Sequence, residues 1–212
     1  MTRTRTTPFA ILCVLSLALL AAGCASTATV VPGRSLALLD VQYPESRMTG
    51  VVMSPGEEPA TARMARALVR EIGSVGLYQV TDARNLGIRP ASLGKDAAQA
   101  AALLKAAPAD AYLGVRLLDC ASRAMSETER RGSGPSAVEV TVYFFRGECT
   151  AELTAFGADG ATVATLQKTG RWDSPRQERP DASSMQSQAL SNAVDDTARK
   201  LAREVRPSAA AK

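Results

Sequence analysis

The sequence has no histidine. That absence removes Ser-His-Asp and Cys-His nucleophilic catalysis and every histidine-based metal centre. No Cys-x-x-Cys spacing occurs, so a dithiol redox site is excluded as well. Gly132-Ser-Gly-Pro135 lacks the lysine and the strand-to-helix setting of a phosphate cradle. Asp195 and Asp196 are adjacent on a predicted helix, where neighbours point about 100° apart. They read as a solvated face, not as a shared acid/base pair. Lys and Arg form no block, and the formal net charge of +4 is not a nucleic-acid-binding balance. The sequence thus offers no catalytic residue, no cofactor and no metal site, and the chain is read as a non-enzyme without a nucleic-acid partner.

Long apolar runs are also missing, apart from one near the start. Ile11 to Cys24 follows the basic opening Met1-Thr-Arg-Thr-Arg. A charged start, a short apolar run and small residues before a cleavage point describe a secretory signal. The run is too short to span a bilayer comfortably, which takes roughly 20 apolar residues. Its ending, Leu20-Ala-Ala-Gly-Cys24, resembles a bacterial lipobox, with Ala21 at a position where leucine is commoner. The resemblance implies that Cys24 is lipidated, that residues 1–23 are removed, and that the lipid bilayer is a partner. Because stable anchoring needs two or more acyl chains, an acylated Cys24 would hold the mature protein on a membrane. No Asp follows Cys24, which favours the outer membrane, with the domain facing the periplasm.

Of four cysteines, Cys13 leaves with the leader and Cys24 is the lipidation site. Cys120 and Cys149 remain, in an oxidising compartment, and are expected to pair. Two topologies compete. If the strand ending at Cys120 pairs antiparallel with the strand beginning at Cys149, with residues 121–148 looping out, the sulfurs meet. If Ala111–Asp119 makes a direct hairpin with Val138–Phe145, the cysteines lie at opposite ends, beyond the roughly 7 Å Cα limit for a bridge. Inside–outside alternation does not choose between them, because both faces of these strands carry apolar residues.

Residues 24–34 are small, polar and turn-rich and read as a short tether, 35–206 as a single domain, and 207–212 as a disordered tail. Ser35–Tyr43 is a short apolar strand. Residues 60–75 show helical periodicity, with Met64, Leu68, Ile72 and Val75 on one stripe. Leu77–Thr81 is a strand, Lys95–Ala107 an alanine-rich helix and Ala111–Asp119 a strand. Ser122–Ser136 is polar and reads as a mobile loop or hairpin tip. Val138–Phe145, Glu148–Phe156 and Ala161–Lys168 are three strands, the last two joined by the hairpin signal Gly157-Ala-Asp-Gly160. Ser184–Val205 is a closing amphipathic helix. Two early βα units, an antiparallel meander and a closing helix predict an α/β (α+β) fold with helices on a mixed sheet.

The segments Gly76-Leu-Tyr-Gln-Val80, Ala109-Asp-Ala-Tyr-Leu-Gly114 and Phe156-Gly-Ala-Asp-Gly160, together with the closing helix, resemble a known superfamily. It holds the TolB amino-terminal domain, the curli secretion channel CsgG, and the LpoB-like activators of penicillin-binding proteins. The resemblance implies a binding or assembly role in the cell envelope, with an unidentified envelope protein as partner and no catalytic residues. A CsgG-like secretion-channel subunit is the alternative. It needs strands of about 9–11 residues with alternating apolar faces, and Val138–Phe145 alternates only in part. Trp172, with Arg171 and Arg176 near it, is a candidate interface cluster, since Trp and Arg are enriched at hot spots. A lid over the core is an equal reading of Trp172.

Overall fold

The computed structural model describes residues 29–43, 58–93, 97–179 and 181–207. Their order is β1 (Thr29–Val31), β2 (Ser35–Gln42), α1 (Ala60–Ser74), β3 (Gln79–Asp82), α2 (Pro90–Leu93), α3 (Ala97–Leu104), β4 (Ala111–Arg131), β5 (Val138–Gly157), β6 (Thr162–Asp173), α4 (Ala182–Glu204) and β7 (Val205–Pro207). This is the expected α/β layering. Five strands form a mixed sheet in the order β3-β2-β4-β5-β6, parallel on the β3-β2-β4 side and antiparallel from β4 to β6. A separate parallel pair joins β1 to β7.

The sheet is covered on both faces, which explains why β2 reads as continuously apolar. Leu36, Leu38, Leu113, Val115, Ala151 and Leu153 pack with Met64, Leu68 and Ile72 of α1 and with Ala193, Val194 and Leu201 of α4. Ala37, Leu39, Tyr112 and Phe156, one residue out of phase, pack with Leu93, Ala100 and Leu104 on the opposite face. That phase shift is the period-two alternation of a strand.

The closing helix lies unusually near the sheet because of two glycines. A Cβ on Gly147 or Gly170 would stand closer than 3.0 Å to the α4 backbone, at Ala189 and Ala193 respectively. The facing stripe of α4 is correspondingly small: Ala189, Ala193 and Thr197, all fully buried. Arg63 of α1 grips Asp195 of α4 through two hydrogen bonds, of 3.1 and 2.6 Å. Asp196 accepts from the Arg171 backbone N–H at 3.1 Å and pairs with Lys200 at 2.8 Å. The two aspartates therefore diverge, as their spacing requires, but both are tied down and neither is simply solvated.

Three sequence expectations need correction. Residues 29–31, assigned to the tether, are folded: β1 runs alongside β7, Val31 is fully buried, and its carbonyl accepts from the Tyr78 hydroxyl at 3.1 Å. The folded domain reaches back at least to residue 29, not only to 35, and it includes Pro207. Val138–Phe145 and Glu148–Phe156 are one strand, not two, since β5 passes through Gly147 without a break. Ser122–Arg131 is not a loop but the outer half of β4, and the hairpin-tip reading holds for the turn that follows it, before β5 begins at Val138. Cys24, residues 51–53 and the tail 208–212 lie outside the described residues.

Candidate functional site

The outer halves of β4 and β5 form a two-stranded arm. Pairing is continuous from Cys120↔Cys149 out to Arg131↔Val138, and the Gly134–Ser136 turn closes the tip. The disulfide joins Cys120 to Cys149, whose Cα atoms are 4.0 Å apart. The bridge expected from the sequence is present, though the topology combines parts of both alternatives. The strands carrying the cysteines do pair antiparallel, yet residues 121–148 continue the ladder instead of looping out. The direct hairpin of Ala111–Asp119 with Val138–Phe145 is not formed; Ala111–Leu117 pairs with Ala151–Gly157.

Residues 174–178 strap the outer edge of β5. Tyr143 and Gln177 exchange both backbone hydrogen bonds, at 2.8 and 3.0 Å, and Ser174 N–H donates to the Phe145 carbonyl at 2.8 Å. The Phe145 N–H donates in turn to Ser174 Oγ at 2.9 Å. Side chains complete the strap. Arg176 donates to Glu127 at 2.9 Å and stacks 4.8 Å from the Phe144 ring centre. Such a cation over a ring is attracted by its quadrupole. Arg131 reaches Glu178 at 2.6 Å.

At the root of the arm, Arg146 and Asp173 pair through two 2.8 Å hydrogen bonds. These bonds hold the Asp173 carboxyl below the usual carboxylate range. Beside them lies an open depression of about 200 Å³, lined by Asp119, Arg123, Arg146, Glu148, Thr150 and Thr169 among others. Its walls mix both charges, Arg146 is held by Asp173, and no enclosed apolar chamber is present there. Among the described residues no group of three or more cysteine and carboxylate side chains is placed to hold a metal ion.

The candidate interface residues are divided between two faces. Trp172 is half-buried and packs toward α4, beside Phe145, Met185 and Ala189. It closes the junction between the arm and the main core. Arg171, the residue before it, turns to the other face, 3.6 Å from Asp173. Arg176 sits on that face too, engaged by Phe144 and Glu127. The cluster read from the sequence is therefore not one patch. The sequence reading missed Phe144, Glu127 and Ser174, which build the strap. Their signal is the alternation of Arg123, Met125, Glu127, Glu129 and Arg131 with the small Ser122, Ala124, Ser126 and Thr128.

No family model matches the chain, and no curated protein matches it. Solved structures resemble it loosely. A Xanthomonas campestris protein of the DUF330 family is 15% identical, with 82% of this chain and 87% of that one covered, at a TM-score of 0.41. A minor lipoprotein of Acinetobacter baumannii is 12% identical over 81% and 91% of the two chains, at 0.38. A lipoprotein of Neisseria meningitidis is 11% identical over 72% and 90%, at 0.37. Likeness at this level carries no information on function. Among the described residues no helix is long and apolar enough to cross a membrane, which says nothing of strands.

Proposed function

We propose that the chain is a lipid-anchored lipoprotein of the bacterial envelope, whose domain is a non-enzymatic binding or assembly module facing the periplasm from the outer membrane. The observation that carries this reading is Leu20-Ala-Ala-Gly-Cys24 at the end of the apolar run. The Cys120–Cys149 bridge supports it, since a disulfide persists in an oxidising compartment. It also leaves Cys24 with no partner in the folded domain.

The fold sharpens the geometry of such an anchor. Cys24 is five residues from Thr29, where β1 begins, so the link reaches at most about 18 Å. β1 sits at the pole where α4 ends, beside Val205. The arm leaves from the opposite pole, where the start of α4 packs on Phe145. Along β4 alone, twenty residue steps at about 3.3 Å each cover about 65 Å. Among the described residues the arm thus lies at the end of the sheet opposite β1, the element nearest the anchor in the chain. The secretion-channel alternative draws no support from it: outer β4 sets Arg123, Met125, Glu127, Glu129 and Arg131 on one face and Ser122, Ala124, Ser126, Thr128 and Arg130 on the other, with no apolar band for lipid on that strand.

Labelled palmitate and detergent partitioning test the reading. Wild-type protein is expected to take up label and enter the detergent phase, and Cys24→Ser to do neither and to retain its leader. An unlabelled, freely soluble mature wild type refutes the anchor.

A further inference from the structure

The two edges of the arm differ. The outer edge of β5 is strapped by residues 174–178, as described above. The edge of β4 from Ala121 to Arg131 has no strand beside it among the described residues. Tyr143 and Phe145 send their backbone groups to the strap, so their partners on β4, Ser126 and Ala124, belong to non-hydrogen-bonded pairs. The N–H and C=O groups of Ser126 and Ala124 consequently face away from β5, and by alternation so do those of Ser122 and Thr128. Such a row is a ready template for another strand.

We infer that a second copy of this chain occupies that edge, pairing β4 to β4 antiparallel about a two-fold axis through Met125. The charge pattern selects both the occupant and the register. Centred on Met125, Arg123 opposes the partner's Glu127 and Asp119 opposes the partner's Arg131. The two-fold axis repeats each contact, giving four opposite-charge pairs, in which Glu127 is shared with Arg176 and Arg131 with Glu178 of its own chain, and no like charges are directly opposed. The same register sets outward-facing residues against outward-facing residues, Ala124 on Ser126 and Ser122 on Thr128. It yields about eight backbone hydrogen bonds.

Neighbouring registers are worse. Centring on Ser126 keeps only the Arg123–Glu129 contacts. Centring on Glu127 opposes that carboxylate to itself and Arg123 to Arg131. Centring on Ala124 opposes Asp119 to Glu129. Like charges directly opposite on paired strands are destabilising, so one register stands out. The small side chains Ser122, Ala124, Ser126 and Thr128 leave the approach on the other face unobstructed. Such an isologous contact closes after two subunits and joins the two five-stranded sheets into one. The inference uses only residues of the folded domain and is independent of the lipid anchor.

Cysteine crosslinking of the full-length chain in mild detergent tests it. On the axis, Met125→Cys faces its own copy, whereas Glu129→Cys faces Ala121. Mild oxidation is expected to convert Met125→Cys to a covalent dimer above the wild-type background, which accounts for Cys13 and Cys24, and to leave Glu129→Cys at that background. Arg123→Glu added to Met125→Cys is expected to lower the dimer yield at least several-fold. Circular dichroism of each variant establishes that the fold is kept. Crosslinking of Glu129→Cys equal to that of Met125→Cys overturns the proposal, as does a monomeric mass by sedimentation at tens of micromolar. An undiminished dimer yield with Arg123→Glu added overturns it as well.

Discussion

Thr197 is the side chain on which the contact between α4 and the sheet turns. It is fully buried, one of two buried polar residues among those described. Its Oγ1 accepts from the Gly170 N–H at 3.0 Å, and its own proton can go to the Cys149 carbonyl at 2.7 Å or to the Ala193 carbonyl at 2.8 Å. The hydroxyl thus stands where β5, β6 and α4 meet. Thr197→Val keeps the shape and removes only the hydroxyl. The Gly170 N–H then loses its partner in a site closed to water, at a cost of about 1–3 kcal/mol. Thr197→Ser keeps the hydroxyl and loses one methyl, at about 1 kcal/mol. For a domain of this size 1 kcal/mol moves the midpoint by about 2–4 °C, so the valine variant should melt about 2–12 °C lower. The order of stability expected from thermal melting by circular dichroism, with the disulfide intact, is wild type, then serine, then valine. A valine variant as stable as wild type refutes the account, and so does a serine variant that falls below valine. Gly170→Ala attacks the same contact from the strand side. Its Cβ would crowd Thr197 Oγ1 and the Ala193 carbonyl, and overpacking of this kind costs about 1–3 kcal/mol. Because the two sites share partners, the double variant should depart from additivity.

Cys120→Ser with Cys149→Ser should cost about 3–4 kcal/mol in the chain-entropy account of the 29-residue separation. Thiol counting on unfolded, non-reduced wild-type protein should find neither sulfur free, and melting with and without reductant should reproduce the loss. Asp110 accepts from the Arg34 and Ser35 N–H groups at 2.8 and 2.9 Å and from the Ser35 hydroxyl at 2.8 Å. Those bonds, the Arg34 backbone N–H foremost, hold its carboxyl below the usual range. Its contribution is therefore present above the unfolded carboxylate value near pH 4 and lost as pH falls through the lower folded value. Asp110→Ala should be less stable at neutral pH and should lose less on acidification, as read by melting between about pH 5 and pH 2; equal acid sensitivity in both proteins contradicts this. Leu201→Ala should cost about 2–5 kcal/mol, because Leu201 is fully buried. Asp196→Ala should cost about 0.5–1.5 kcal/mol through its lost bonds to the Arg171 N–H and Lys200. Equal small shifts for the two would mean that α4 is detached from the core.

The body of the domain was legible because burial writes itself into period. The Met64, Leu68, Ile72 stripe and the apolar β2 run each have one reading, and the structure realises both, except that Val75, which the periodicity added to the stripe, falls past the end of α1 and is exposed. The arm was not legible for the converse reason. Its outer β4 alternates charged residues with small polar ones, so the period of two is present but hydrophobicity, the usual carrier of that signal, is absent. Serine, glutamate and arginine also have no preference for strands that would flag them. Arg146-Gly147-Glu148 looked like a break in β5. Gly147 is there because α4 passes too close for any side chain, a long-range cause that no local window contains. Similarly, Thr29-Val-Val31 is too short to declare itself a strand, and only its partner 176 residues later in the chain makes it one. Of the candidate site, the disulfide was reachable by elimination among four cysteines. The strap was not, since it depends on residues 174–178 meeting a strand whose existence had been missed.

The position of the disulfide also decides what a protease can do to this protein. Everything between Cys120 and Cys149 belongs to the arm, on the far side of the bridge. A cut anywhere in that interval yields two polypeptides, one ending in the arm and the other beginning there, still joined through the two sulfurs. Each piece contributes strands to the same sheet, and the helices on both faces bind them together. Cleavage would therefore alter the mobility of the chain on a reducing gel without releasing a fragment or emptying the core. The tip at Gly132–Gly134 is for the same reason the place to insert a tag or a reporter.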